Sequence, residues 1–257
     1  NLPQFRSDNK YVYQTRDKNT PDSTVLTYKY IKQKDTLGIL NQDSENGGFG
    51  AEVVQIPIFG LVSRDLLDSA NELNFLENII GISKIENLTV FDIGSGYGRL
   101  AVHSIMNLNN IEKYVCLDAV PESLGICEFY LRYKQLNSEK YHISFFPEDY
   151  SPPENSIAVA IHSFSEMPLE SVLNWIKFLK EMETDWILVV PNREKHKGKK
   201  LLATEVDGSR PDYSRLLLEY SYEKYGIFPK YDDPDIQEFG ISPTMYHLYK
   251  RSIKKSL

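Results

Sequence analysis

The sequence predicts an α/β protein in which an open, doubly wound and mostly parallel sheet follows an N-terminal helical or loop extension. From Leu88 onward, short apolar runs alternate with segments of helical periodicity, which is the pattern of strands joined by crossover helices. Some runs, such as "SIAVAIHSF" at 156–164, are apolar without alternation, as in strands covered on both faces. A chain of 257 residues suffices for one such domain with an appendage.

The first part of the chain differs in pattern from the rest. Residues 1–50 are polar and contain turn signals, and "TVLTYKYIKQ" at 24–33 fits a strand or a short helix equally well. Residues 63–80 predict an amphipathic helix, with Ser63 as N-cap and Gly81 ending it. We therefore divide the chain into an extension or lid at 1–62 and an α/β domain at 63–257 that includes this lead-in helix.

The remaining elements follow in alternation. Strands are predicted at "LTVFDIG", "KYVCLDAV", "YHISFF", "SIAVAIHSF" and "DWILVVPN", and helices at "GRLAVHSIMNL", "ESLGICEFYLRYKQL", "PLESVLNWIKFLKEM" and "DYSRLLLEYSY". Pro121 and Pro168 open two of these helices, at a position where proline is favoured. "KYGIFPKY" and "TMYHLYKRS" predict two final strands joined by a loop rich in Pro, Asp and Gly.

Composition limits the partners and the compartment. The net charge is −7 and the pI is about 5.4, so we expect no nucleic-acid partner, because binding a phosphate backbone usually requires a basic face. We interpret the basic run "REKHKGKK" at 193–200 as solvated surface. No run of about 18 apolar residues predicts a membrane span. The two cysteines, Cys116 and Cys127, form no disulfide framework, which favours a cytoplasmic location.

Two further points stay open at this stage. Because the chain begins at Asn1 rather than at Met, a fragment or a processed form is one interpretation, and whether flanking domains are missing stays open. The oligomeric state cannot be predicted from these patterns.

A glycine-rich turn joins the first predicted strand of the sheet to its helix. Asp92 lies two residues before Gly94, and Gly96 and Gly98 follow at alternate positions. Glycines permit a tight turn and a close approach of a ligand to the backbone, and the following helix N-terminus directs its N–H groups at that ligand. The turn therefore predicts a ligand-binding site at the carboxyl edge of the sheet.

The spacing of the glycines and acids argues against two classes of nucleotide ligand. A nicotinamide fingerprint would place its third glycine at position 99, which is Arg99, and the carboxylate of Asp92 would repel a pyrophosphate. No P-loop pattern is present. Asp118 ends the second strand, 24 residues after Gly94, where a carboxylate can accept hydrogen bonds from ribose hydroxyls.

These motifs together resemble those of the class I S-adenosylmethionine-dependent methyltransferases, over about residues 88–252. The resemblance implies a Rossmann-like seven-stranded sheet with an antiparallel last strand. It implies that the glycine loop cradles the methionine part of S-adenosylmethionine, with Asp92 near its amino group, Asp118 on the ribose and Glu148 or Asp149 near the adenine. The cofactor-binding set implied is Arg64, Asp92, Gly94, Ser95, Gly96, Tyr97, Gly98, Asp118, Ala119, Glu148, Asp149 and His162.

The segment after the fourth strand, "IHSFSEMPLE", faces the methyl donor in this fold. Methyl transfer is an in-line displacement that depends on alignment of acceptor, methyl and sulfur, and an aliphatic hydroxyl benefits from a general base. His162 is the candidate base, and Glu166 could orient it or act as base itself. A structural histidine is the open alternative. No metal-ligand spacing stands out, although strand-end acids could still assemble a magnesium site.

A closer resemblance extends over 62–192. "VSRDLLDSANELNFLE", "FDIGSGYGRLA", "CLDAVPESL", "IHSFSEM" and "VVPN" are similar to the sugar O-methyltransferases of bacterial polysaccharide and glycosylated-metabolite pathways. The resemblance implies transfer to a hydroxyl of a nucleotide sugar or glycan, with Glu166 and Asn192 on the substrate. It also implies that Arg64 and Asp65 reach the site, whereas the residues alone favour helix capping and solvated charge.

Three alternatives remain from the sequence. The chain could be a small-molecule methyltransferase with a non-sugar acceptor, or a non-catalytic domain that holds the cofactor inside a glycan-assembly protein. A dinucleotide-dependent oxidoreductase is the most distant alternative. The N-P-P-Y-type sequence of nucleic-acid amino methyltransferases is absent.

Overall fold

A computed structural model describes residues 21–42, 53–57, 59–146 and 150–252. The chain divides into two compact units. Unit 1 consists of Asn1–Ser83 and Tyr231–Pro243, and unit 2 consists of Lys84–Lys230 and Thr244–Leu257. The segment 231–243 lies between two strands of unit 2 in sequence but belongs to unit 1 in space.

The elements are numbered in chain order. The helices are α1 Pro21–Lys34, α2 Ile39–Gln42, α3 Arg64–Ile80, α4 Arg99–Asn107, α5 Pro121–Tyr133, α6 Ser163–Glu166, α7 Leu169–Glu181, α8 Ser214–Glu219 and α9 Pro234–Phe239. The strands are β1 Val53–Ile56, β2 Gly60–Ser63, β3 Leu88–Ile93, β4 Ile111–Leu117, β5 Tyr141–Ser144, β6 Asn155–Ile161, β7 Trp186–Val190, β8 Tyr222–Pro229 and β9 Met245–Arg251.

Unit 1 is built on helices α1 and α3, which pack together. The stretch 24–33, which fitted a strand or a helix, is helical in α1, and its apolar face buries Tyr28 and Ile31. Helix α9 also packs on α1, where the Ile241 N–H donates to Thr27 Oγ1 at 3.0 Å. The predicted loop between the last two strands therefore contains a short helix.

The caps predicted for the lead-in helix are confirmed in α3. The Ser63 hydroxyl accepts a hydrogen bond from the Leu66 N–H at 3.1 Å. Gly81 takes a left-handed conformation with φ 64°, and its N–H donates to the Glu77 carbonyl at 2.9 Å. Short-range sequence signals thus set both ends of this helix.

The division into units differs from the boundary expected at residue 62. Helix α3 was expected to open the α/β domain, but it packs with α1 and belongs to unit 1. The buried apolar face of α3 includes Leu66, Leu67 and Leu73. An amphipathic pattern shows that a helix buries one face, but it does not show which neighbour covers that face.

Unit 2 contains a seven-stranded sheet in the order β5-β4-β3-β6-β7-β9-β8. Neighbouring strands from β5 to β7 pair in parallel, whereas β9 runs antiparallel to both β7 and β8. The predicted fold class, a Rossmann-like and mostly parallel sheet with an antiparallel last strand, is confirmed. Within the described ranges, no helix is long and apolar enough to cross a membrane.

A ligand-binding crevice is expected at the centre of the sheet, where the strand order reverses. Strand β3 lies between β4 and β6, and the direction of the strand order reverses there, because the chain continues to β4 on one side and returns through β6 on the other. Such a switch point opens a crevice beyond the carboxyl ends of the strands. All six residues of β3 are buried, so its end at Ile93 is held firmly in the core.

Candidate functional site

The glycine loop between β3 and α4 takes the backbone conformations that its sequence indicates. Gly94, Gly96 and Gly98 have φ values of 79°, 58° and 83°, in the left-handed region that other residues rarely adopt. The N–H groups of Gly94 and Ser95 both donate to the Leu117 carbonyl, at 2.7 and 3.0 Å. The turn is therefore fixed to the end of the neighbouring strand β4.

Two of these glycines also allow close packing. A Cβ at Gly94 would lie 2.4 Å from Ser163 Cβ, and a Cβ at Gly98 would lie 2.5 Å from Leu131 Cδ1 and 2.8 Å from Cys127 Sγ. All three distances are far below van der Waals contact. At Gly94 the close approach of Ser163 Cβ and the positive φ both favour glycine, whereas at Gly98 the neighbouring atoms are the ends of side chains and the positive φ is the firmer requirement.

Asp118 ties the glycine loop to the turn that follows β4. Its Oδ2 accepts a hydrogen bond from the Gly96 N–H and its Oδ1 from the Val120 N–H, each at 2.9 Å. Each carboxylate oxygen has a second lone pair. Asp118 is 8% exposed, and its carboxylate keeps the acceptor capacity that binding a pair of ribose hydroxyls requires.

Burial raises the pKa of the Asp118 carboxyl above its ordinary value, and the two backbone N–H donors, from Val120 and Gly96, oppose that change. Desolvation disfavours the charged form, whereas hydrogen bonds to the carboxylate favour it. The carboxylate is therefore held in position and protonates at a higher pH than an exposed aspartate.

Asp92 lies deeper than Asp118 and has a partner in the sheet. The Tyr114 hydroxyl on β4 donates to Asp92 Oδ2 at 2.9 Å. Burial, and secondarily the negative charge of Asp92, raises the pKa of the Tyr114 hydroxyl well above its ordinary value. Tyr114 therefore remains a donor, and it orients the Asp92 carboxylate. The role of Asp92 beside an ammonium group stays a prediction.

The other cofactor residues predicted from the sequence lie around this loop. Gly98 is the N-cap of α4 and no side chain caps this helix, so the first N–H groups of α4 face the loop. Ser95 and Tyr97 are buried beside it, whereas Ala119 is exposed after β4. Glu148 and Asp149 lie outside the described residues.

His162 follows β6 with an unusual backbone conformation. Its φ is 66°, which is uncommon for a residue with a side chain and costs on the order of 1–3 kcal/mol. The His162 N–H donates to the Val190 carbonyl at 2.7 Å, and the His162 carbonyl accepts from the Ser165 N–H at 2.9 Å. Strained residues of this kind concentrate at functional sites. Here the hydrogen bonds to Val190 and Ser165 hold the strained conformation in place.

The short helix α6 connects the ends of β3, β6 and β7. The Ser163 hydroxyl donates to the Ile93 carbonyl at 2.5 Å, and Ser165 Oγ accepts from the Asn192 N–H at 3.2 Å. Glu166 ends this helix. The structure therefore brings together the segments of His162, Glu166 and Asn192 at the carboxyl edge of the sheet, next to the glycine loop.

Arg64 belongs to unit 1, in contrast to every other described residue of the predicted site. Its Nε pairs with Asp68 Oδ2 at 3.1 Å within helix α3, where both side chains are largely buried. Asp65 lies in the first turn of the same helix, and its carbonyl accepts a hydrogen bond from the Ser69 hydroxyl at 2.8 Å. That Arg64 and Asp65 reach the cofactor stays a prediction.

Ser163 lies against Gly94 and Tyr114 bonds to Asp92, and neither contact with the candidate site was predicted from the sequence. Ser163 was interpreted as the end of an apolar strand, yet it joins the acceptor side to the glycine loop. A tyrosine in the centre of the apolar run "KYVCL" is the signal that could have indicated a buried hydroxyl in need of a partner. Among the described residues, no group of three or more His, Cys, Asp or Glu lies together so as to hold a metal ion.

Comparisons with known proteins support the fold. The methyltransferase domain of bacterial CtHen1 is 16% identical, with a TM-score of 0.51, and the match covers 71% of this chain and 98% of that one. The fold is that of the class I methyltransferases. TrmK of M. capricolum, solved with S-adenosylhomocysteine, is 12% identical with a TM-score of 0.45 over 70% of this chain and 68% of that one. No protein-family model and no curated protein matches the chain.

One expectation is corrected by these comparisons. A protein of Pyrococcus horikoshii provisionally described as an RNA methyltransferase is also similar, with 13% identity and a TM-score of 0.47 over 74% of this chain and 87% of that one. The exclusion of nucleic acid as a partner was therefore wrong. Net charge describes the whole chain, whereas an acceptor is recognised by a local surface.

Proposed function

We propose that this protein is an S-adenosylmethionine-dependent methyltransferase that methylates a hydroxyl of a sugar-bearing acceptor. The observation that carries the cofactor assignment is the Gly96 N–H bonded to Asp118 within a loop of three left-handed glycines. This arrangement places a glycine backbone that a ligand can approach, a helix N-terminus and an oriented carboxylate at the switch point beyond β3. The solved structures of similar fold include one with S-adenosylhomocysteine bound.

The residues fit the parts of S-adenosylmethionine, which supplies an electrophilic methyl group on a sulfonium when bound. Asp118 would accept hydrogen bonds from the ribose hydroxyls with its second lone pairs. The N–H groups of α4 would face the cofactor carboxylate, and the Asp92 carboxylate would attract its ammonium group. Ala119, which is exposed after β4, would lie beside the adenine.

His162 and Glu166 are the groups proposed to act on the acceptor. His162 would take the proton of the acceptor hydroxyl as the oxygen bonds to the methyl carbon and the bond from that carbon to sulfur breaks, which yields a methyl ether, S-adenosylhomocysteine and a protonated imidazole. Glu166 would orient the imidazole or accept the proton itself. The fixed, strained backbone of His162 supports this role. The sugar acceptor is supported by the resemblance over 62–192.

Titration calorimetry with S-adenosylhomocysteine tests the cofactor site. We expect Asp118→Ala to weaken binding about tenfold to a hundredfold, because hydrogen bonds to a charged group contribute about 1.5–3 kcal/mol. Asp235→Ala, which removes an exposed carboxylate from α9, is the matched control and should bind as the unmodified chain does. Equal affinity in both variants would contradict the assignment of Asp118.

Release of S-adenosylhomocysteine from S-adenosylmethionine tests the reaction on an acceptor panel of nucleotide sugars, glycan oligosaccharides and short structured RNAs. We expect turnover with a nucleotide sugar or glycan, and a loss of about 10²- to 10⁴-fold in His162→Ala with cofactor binding preserved. If RNA is the only acceptor that supports turnover, the proposed sugar acceptor is contradicted and RNA takes its place. Cofactor binding without turnover on any acceptor would favour the non-catalytic alternative, and unchanged turnover in His162→Ala would remove its role as base.

A further inference from the structure

The segment after β7 concentrates positive charge on an acidic protein. Residues 193–200, which we call the basic loop, contain five Lys or Arg side chains and one acid, whereas the whole chain has a net charge of −7. Lys195, Lys197, Lys199 and Lys200 are all exposed. The sequence alone favoured ordinary solvated surface for this run, and its position in the fold changes that interpretation.

The basic loop begins at the carboxyl edge of the sheet, beside the proposed catalytic residues. Val190, the last residue of β7, accepts the hydrogen bond from the His162 N–H at 2.7 Å. Two residues later, the Asn192 N–H donates to Ser165 Oγ in helix α6 at 3.2 Å. The loop therefore starts from the segment on which an acceptor would lie, on the opposite side of β6 from the glycine loop.

The basic loop is held in one conformation by unit 2. The Gly198 N–H donates to the Arg193 carbonyl at 2.7 Å, which closes the turn. Gly198 is buried with φ 76°, and a Cβ there would lie 2.2 Å from Thr244 Oγ1. The Gly198 carbonyl lies 2.8 Å from His247 Nε2, and the Thr244 hydroxyl donates to the Pro191 carbonyl at 2.7 Å. A prepositioned loop loses little conformational entropy on binding.

The single acid of the loop is engaged within the protein. Glu194 forms an ion pair with Arg210 and lies 3.7 Å from His196 Nε2. Burial, together with the positive charges of Arg210 and Lys200, lowers the pKa of His196, although Glu194 opposes this. The exposed charge that the loop presents is therefore that of its lysines.

We propose that the basic loop binds a compact phosphate group, of the size of a diphosphate, on the acceptor, so that the substrate is a phosphorylated small molecule such as a nucleotide sugar. This inference rests on the proposed function and names its substrate class. Lysine ammonium groups are point charges suited to phosphate. Their confinement to one closed turn fits a compact anion better than a nucleic-acid backbone, which is bound by a basic stripe over many phosphates.

Calorimetric titration with inorganic pyrophosphate, at low and moderate salt, tests the proposal. The loop variant is Lys195→Gln, Lys197→Gln, Lys199→Gln and Lys200→Gln combined. The control variant changes the same number of exposed lysines elsewhere in unit 2, namely Lys84→Gln, Lys177→Gln, Lys180→Gln and Lys224→Gln. We expect pyrophosphate affinity to fall at least tenfold in the loop variant and to stay within twofold in the control, with weaker binding at higher salt.

Several outcomes would overturn the proposal. These are absence of pyrophosphate binding by the unmodified chain, equal losses in both variants, or loop-dependent binding of a short RNA without binding of pyrophosphate. Titration of the same proteins with S-adenosylhomocysteine distinguishes this proposal from the proposed function. If the unmodified chain binds pyrophosphate but not S-adenosylhomocysteine, the assignment as a methyltransferase is contradicted and the anion site is not. With a nucleotide-sugar substrate, the loop variant should raise KM and leave kcat nearly unchanged, since the loop contacts a part of the substrate that does not react.

Discussion

At the scale of single residues, the glycine loop shows two separate requirements at one position. Gly94 has a φ of 79°, and the space for its missing Cβ is already filled by Ser163. The left-handed conformation is a property of the backbone alone, whereas the close approach depends on β6 and α6. Gly208 shares the first property, with φ 81°, but has nothing within 4 Å of a Cβ, so these two glycines separate the effects.

We expect Gly208→Ala to lower the free energy of unfolding by about 1–2 kcal/mol, the usual cost of a left-handed conformation. Gly94→Ala should cost about 1–3 kcal/mol more, because the neighbouring segment has to move. Denaturant unfolding followed by tryptophan fluorescence measures this, since both tryptophans, Trp175 and Trp186, lie in unit 2. Equal costs in the two variants would contradict the close packing at Gly94.

The raised pKa of Asp118 gives a pH dependence of definite sign. The folded chain binds a proton at this carboxyl at a higher pH than the unfolded chain does, so this group favours folding at low pH and loses that contribution as the pH rises through its folded pKa. The affinity for the ligand changes with pH in the opposite direction and weakens as the pH falls. The reason is that only the ionised carboxylate has all its lone pairs available to ribose hydroxyls.

We therefore expect the affinity for S-adenosylhomocysteine to decrease as the pH falls from 7.5 through the mildly acidic range, above the ordinary pKa of an aspartate. Asp118→Asn removes the titrating group and should bind more weakly, with a flatter pH profile. Titration calorimetry at several pH values compares the affinities of the unmodified chain and of Asp118→Asn. A decrease of the same steepness in the variant would assign the pH dependence to another group.

At the scale of elements, local signals set where helices begin and end. Ser63 caps α3 through the Leu66 N–H, and Asp233 caps α9 by accepting from the Asp235 and Ile236 N–H groups at 2.9 and 3.2 Å. Pro168 departs slightly from its prediction, because it is the N-cap of α7 rather than its first residue. Its ring still allows this role, since a proline at the start of a helix loses no intrahelical hydrogen bond.

Ser63→Ala should destabilise α3 by about 1 kcal/mol, because the Leu66 N–H loses its partner. Hydrogen exchange read by mass spectrometry should then show about fivefold faster exchange in peptides from 64–80. Ser151→Ala, at an exposed position outside the helices and strands, is the control and should leave that exchange unchanged. If 64–80 exchanges at the same rate in both variants, the cap does not stabilise the helix.

The exposed edge strand β8 shows how an element avoids unwanted pairing. It has Glu223 and Lys224 exposed, a register shift between Lys224 and Gly226, and Pro229 at its end. Charges, bulges and proline all hinder the addition of another strand. The exposed Tyr225 on this strand packs against Trp186 at a centroid distance of 5.2 Å, which covers part of its apolar surface.

At the scale of the whole molecule, the two units determine where the chain can be shortened. A chain that begins at residue 63 keeps α3 but loses α1, which packs against it. A chain that begins at Lys84, with 231–243 replaced by a short Gly-Ser linker, corresponds to unit 2. The two shortened chains therefore test the boundary that the sequence suggested against the one that the structure draws.

We expect the chain from residue 63 to bind more of an apolar-surface dye and to be less soluble than the chain from Lys84, because the apolar face of α3 loses its cover within unit 1. Dye fluorescence at equal protein concentration, with the full chain as reference, measures the difference. Greater dye binding by the chain from Lys84 would favour the boundary at residue 62.

The sequence by itself determined the sheet and the shape of the glycine loop. Alternating apolar runs and helical periodicity identify the strands from β3 to β9 and the helices between them except the short α6 and α9. Alternate glycines beginning at Gly94 specify left-handed turns, because both kinds of signal are properties of a few neighbouring residues. The tertiary structure alone decided the rest. It paired Asp118 with Gly96 and Tyr114 with Asp92, it grouped α3 with α1, and it brought the basic loop to the edge where His162 lies. Those relationships join residues distant in the chain, and no local pattern encodes which distant neighbour will cover a buried face or accept a hydrogen bond.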